Sequence, residues 1–134
     1  DGFRAAGGHV HLGWDSPSKE ERVRVGILCD YYLGLPSVLR DVEGKERRKL
    51  YGHAGDVRIK PYGIEYRTLS NFWVFESEHR EWVYTQTCKA IEDGRDPHRF
   101  TQITETISPF DVQEAINTGE GVKDLLVKCE EVLL

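Results

Sequence analysis

The sequence predicts an α+β fold in which a mostly antiparallel sheet carries the functional groups and helices flank it. Two short stretches, residues 8–14 and 62–70, alternate side-chain character with the period of two that marks a strand. Four other stretches carry helix caps or apolar residues at helical spacing. Strands and helices do not alternate regularly along the chain, as they would around a parallel sheet.

The totals narrow the class. A chain of 134 residues is long enough for one domain with a core. With 39% hydrophobic and 31% charged residues, it has the balance of a soluble globular protein rather than a disordered one. A net charge of −5 argues against general nucleic-acid affinity. No apolar run approaches the roughly 20 residues that span a bilayer, and no secretory signal is expected. Cys29, Cys88 and Cys129 are widely spaced with no CxxC pair, so they are expected to be reduced thiols in a cytoplasmic protein. The sequence has no Met and reaches its most unusual motif within a dozen residues. It is therefore expected to be the C-terminal portion of a longer protein.

Each element has its own justification. Residues 8–14 alternate as a strand, with His9 and His11 on one face and Val10 on the other. Ser16-Pro17 and the Ser18/Glu21 capping box start a helix over 17–33, with Val23, Ile27 and Tyr31 on one apolar face and Leu28 and Tyr32 beside them. Gly34 is placed to cap that helix, and "LPSVLRD" follows as a short turn or helix. "VEGKERRKLYGHAGDVR" reads as a long polar loop with one helical turn at most. In residues 62–70, Ile64, Tyr66 and Thr68 share one strand face, and Glu65, Arg67 and Leu69 share the other. A helix is expected over 77–92, ended by Asp93-Gly94. Ser108-Pro109 begins another that reaches 117, Gly119 to Gly121 break it, and a last helix covers 122–133. Its stripe is Val122, Leu125, Leu126, Cys129 and Val132.

The chemistry concentrates on the two strands. If they are antiparallel neighbours, two imidazoles, a carboxylate and a guanidinium converge on one face. His9, His11 and Glu65 suit a divalent metal. Arg67 beside a metal suits a phosphate or a carboxylate, although Glu65 and Arg67 also fit a plain ion pair. The loop adds Lys45, Arg47, Arg48, Lys49, Arg58 and Lys60 to an otherwise acidic chain, in a pattern that could clamp phosphate but is not a P-loop. Tyr62, Tyr66, Phe72, Trp73, Phe75 and Trp82 read as core rather than as a base-stacking platform.

"GGHVHLG", the basic "RRKLYGHAG" followed by Arg58, and "PYGIEYRTLSNFW" occur in that order over about residues 4–90. Together they resemble the carboxylate–amine ligase superfamily that includes glutamine synthetase and glutamate–cysteine ligase, most closely its phage-associated type 2 COOH–NH2 ligases. The resemblance implies a glutamine-synthetase-like catalytic domain of which residues 1–134 form one C-terminal part. It implies His9 and Glu65 as metal ligands and His11 near the nucleotide phosphates. Arg67 would meet the substrate carboxylate or the transferred phosphoryl group. Arg58 and Arg48 fall where phosphate-binding arginines belong, with Arg47 as good a candidate as Arg48. The implied cofactors are ATP and Mg2+ or Mn2+. The implied reaction joins a small-molecule or peptide carboxylate to an amine through an acyl phosphate, without nucleic acid or membrane, in the infected host's cytoplasm if the gene is phage-borne. An oligomer is compatible with it. Two other readings stay open on the residues: a metal-dependent hydrolase using His9, His11 and Glu65, and a non-catalytic ligase-like remnant.

Overall fold

Three short strands meet in one antiparallel sheet, in the order β1-β3-β2. They are β1 (Val10–Gly13), β2 (Val57–Lys60) and β3 (Gly63–Tyr66). The computed structural model describes residues 8–41 and 53–133. β3 is central: His11 and Arg58 both lie opposite Glu65, one on each side. Val10, Leu12, Ile64 and Tyr66 are buried on one face of this sheet, where the helices pack. The architecture is α+β with an antiparallel sheet, as the alternation predicted.

β2 was not anticipated. Its four residues, VRIK, sit inside the stretch read as a loop, and their basic character hides the period of two. A two-residue turn, Pro61-Tyr62, joins it to β3.

The first helical layer is one continuous rod. It comprises α1 (Lys19–Cys29), a π-helical turn (Asp30–Gly34) and α2 (Leu35–Arg40). Ser18 caps α1 in a complete capping box with Glu21, as its sequence indicated. The expected stripe holds at Ile27, Leu28, Tyr31 and Tyr32, which pack into the core, and fails at Val23. Val25, Gly26, Leu28 and Cys29 face inward, and Val23 is exposed. Gly34 does not end the helix either, because its backbone stays right-handed helical. A side chain there would collide with the Tyr66 hydroxyl and with Ile116, so this glycine serves close packing. Pro36 lacks the N–H that would bond the Tyr32 carbonyl four residues back. Gln86 Nε2 donates to that carbonyl instead, at 2.8 Å.

After a 3-10 turn (Asn71–Trp73) comes α3 (Ser77–Arg95), which packs along α1. α3 runs past the stop expected at Asp93-Gly94. Gly94 sits against the Val25 backbone and permits that approach. α4 (Pro97–Thr106), α5 (Pro109–Thr118) and α6 (Val122–Leu133) complete the layer. α4 was missed, although Asp96 caps it and Pro97 fills its first turn. α5 starts at the Ser108 cap and ends at Gly119 in a left-handed conformation, as expected. The aromatic run is only partly core. Tyr66 is buried, Phe72, Trp73 and Trp82 are half-buried, and Tyr62 and Phe75 are exposed. No helix among the described residues is long and apolar enough to cross a membrane.

Candidate functional site

The sheet face turned away from the core carries every charged side chain of the strands. Antiparallel register puts directly opposed residues on the same side. His11, Glu65 and Arg58 therefore form one row across the sheet. Residues two positions along each strand join that face: His9 before β1, Lys60 on β2 and Arg67 after β3.

Glu65 is the centre of this group. It is buried, with 8% exposure, and flanked by basic side chains. His9 Nδ1 lies 3.0 Å from Oε1, Arg67 Nε lies 3.9 Å from the same oxygen, and Lys60 Nζ lies 3.7 Å from Oε2. Burial alone would raise the Glu65 pKa. The charge of His11, the His9 hydrogen bond and the Arg67 guanidinium outweigh it and hold the carboxyl below its usual range. Glu65 is thus an anion kept ionised in a half-dry setting. The Arg67 Nε is buried and hydrogen-bonds to no described residue. Such a donor is costly to leave unmade.

His11 is exposed and shares a 2.6 Å hydrogen bond between its Nδ1 and the Tyr62 hydroxyl. Two members of this face are placed differently from the sequence expectation, Lys60 being a phosphate-clamp candidate that proves to lie on a strand. Tyr62 was counted with the core, and Lys60 with the loop. The signal for Lys60 was available, since Arg58 and Lys60 stand two apart like His9 and His11. Arg58 is exposed on the outer row. Arg47 and Arg48 lie outside the described residues.

His9 and Glu65 offer two donors, and no group of three or more His, Cys, Asp or Glu converges among the described residues. His53, His79 and His98 do not join the pair. A catalytic zinc site with three protein ligands is not assembled by these residues. A hard cation is different. Mg2+ is commonly held through one or two carboxylates with phosphate oxygens completing its shell, and one carboxylate beside an imidazole fits that requirement.

A cavity of about 230 Å³ lies away from this face, on the helix side of β2 between α1 and α5. Its lining includes Asp30, which the site does not use. Burial pushes the Asp30 pKa up to about 6, against hydrogen bonds from Tyr66, Gly55 and Gln113.

The family model "Phage phiEco32-like COOH.NH2 ligase-type 2" matches residues 2–115. That span takes in all three strands, the whole charged face and the helices as far as most of α5. No curated protein and no solved structure matches the chain significantly.

Proposed function

The chain belongs to the phage phiEco32-like COOH.NH2 ligase-type 2 family, and from that premise we propose that it serves ATP-dependent formation of an amide or peptide bond through an acyl phosphate. The observation that supports this most is the ionised Glu65 ringed by His9, Lys60 and Arg67 on one open sheet face. A divalent cation held by His9 and Glu65 would neutralise phosphate charge there.

The chain's own residues would do the rest. A carboxylate oxygen of the substrate attacks the γ-phosphorus, and the bond to the ADP oxygen breaks. Negative charge builds on the phosphoryl oxygens as this happens. Arg67, whose buried Nε is ion-paired with Glu65 but makes no hydrogen bond, would meet that charge with a planar fork. Arg58 and Lys60, from the neighbouring strand, would hold the phosphates, with Arg47 and Arg48 assigned to the nucleotide on the resemblance. His11, oriented by Tyr62, would contact the phosphate chain. The amine then attacks the acyl carbon and inorganic phosphate leaves. The nucleotide pool would be cytoplasmic, that of the host if the protein is phage-encoded.

Two substitutions test this. Glu65→Gln keeps size and removes the ligating charge. Arg67→Lys keeps charge and removes the fork. ADP release is followed with panels of carboxylates and amines, alongside a thermal melt. We expect Glu65→Gln to lower turnover by about 100-fold or more, as loss of a key electrostatic group does, with the melt little changed. Arg67→Lys should lower turnover while nucleotide binding survives. Parental turnover in both folded variants would refute the ligase assignment of this face.

A further inference from the structure

Among the described residues, no strand covers the outer edge of β2. Asp56 O accepts from Arg67 N at 2.8 Å, and the register carries the same inward bonding to Arg58 and Lys60. In an antiparallel ladder the residues between them, Val57 and Ile59, turn their N–H and C=O groups the other way. No fourth strand pairs with β2 among the described residues. Such edges invite another strand unless they are blunted. Here one face is charged, but Ile59 on the other face is 54% exposed.

A cavity of about 230 Å³ opens beneath Ile59. Val23, Gly26, Ile27 and Val57 wall it, and Val23 on its rim is 48% exposed. It is smaller than the roughly 300–1,000 Å³ usual for small-molecule sites, and it has room for one side chain. Asp30 in its lining is already bonded by Gly55, Tyr66 and Gln113, so the cavity calls for an apolar occupant rather than a cation.

We propose that this edge docks an extended peptide in which apolar and acidic residues alternate. The peptide adds as a fourth strand, as in β-augmentation. Its residues alternate faces: one apolar side chain enters the cavity, and the next carboxylate lies beside Arg58 and Lys60. Charge complementarity selects an acidic peptide over a basic one. The docking itself does not rest on the ligase reading. If that reading also holds, the docked carboxylate is presented on the face that would activate it, and the substrate class is an acidic peptide.

The test is binding of a fluorescein-labelled, end-capped pentapeptide alternating glutamate and valine, read by anisotropy and by amide hydrogen exchange. No nucleotide is present, so the outcome is independent of ADP release. We expect saturable binding and new exchange protection at Val57 and Ile59. Replacing the peptide's glutamates by lysines should abolish it. Ile59→Pro removes an N–H that the β2–β3 ladder does not use, a change edge strands tolerate. It should weaken binding by about tenfold, the scale of one lost hydrogen bond, and Ile59→Val should bind like the parent. Absence of saturation, protection located elsewhere, or equal binding of the lysine peptide would each overturn the proposal. If Ile59→Pro unfolds, the exchange map of the parent decides alone.

Discussion

Tyr66, at the centre of the sheet, donates a 2.6 Å hydrogen bond to the Asp30 carboxylate at the start of the π-helical turn. Both residues are buried, and the same Asp30 oxygen, Oδ1, accepts from Gly55 N at 2.9 Å. One side chain thus ties the helical rod to the sheet and to the turn that leads into β2. Tyr66→Phe keeps the ring and leaves that buried carboxylate short of a donor. We expect a loss of about 1–3 kcal/mol, measured by urea denaturation. An unchanged midpoint would show that the tie carries no stability.

Asp30 also sets a pH dependence. Its folded pKa, about 6, lies above the ordinary value of an aspartate. In that window the folded state binds the proton more tightly than the unfolded state does. The Asp30 contribution is therefore neutral at low pH and becomes a penalty as pH rises through about 4 to 6. Asp30→Asn can keep both bonds to Oδ1 and never ionises. Relative to the parent it should gain about 1–3 kcal/mol between pH 4 and pH 7. Paired urea titrations across that range check the sign, and a constant difference would contradict it.

Gly94 lies inside α3, where alanine would ordinarily stabilise by about 1 kcal/mol. The added Cβ would sit 2.8 Å from Val25 Cα and 2.9 Å from its N. Backbone cannot rotate away, so α1 and α3 must part. Gly94→Ala should destabilise by about 1–3 kcal/mol, and a higher melting temperature would disprove the close-packing account.

The thiols differ in reach. Cys88 is exposed, whereas Cys29 and Cys129 are buried. Burial raises the Cys29 thiol well above its usual value and lifts Cys129 to about 11. In native protein, a disulfide reagent should titrate Cys88 first and the other two slowly. In non-reducing denaturant it should count three. Rapid native reaction of two thiols would contradict the burial.

What the sequence showed and what it hid have physical causes. His9, His11, Glu65 and Arg67 were legible because a strand's period of two survives in very few residues. Their union on one face needed only the antiparallel register that the structure shows. β2 stayed hidden because a four-residue strand at a sheet edge need not be apolar. Gly34 and Gly94 misled because a glycine that ends a helix and one that lets another element approach look alike in sequence. The α1 stripe caught Ile27, Leu28, Tyr31 and Tyr32 but not Val25 or Cys29, because the rod is covered by α3 and the sheet from more than one side.

The π-helical turn has a consequence for how this chain can change length. Each α-helical residue advances the rotation by about 100°. The wider turn absorbs part of one such step, so α1 and α2 run out of phase along one axis. Five successive side positions, Asp30 to Gly34, are buried, which no uniform helix against a single surface would achieve. Removing one residue there would re-phase everything up to Arg40, swinging its guanidinium from its place 4.2 Å over the Trp82 ring. The segment therefore sets the length and phase of the coupling between α1 and α2.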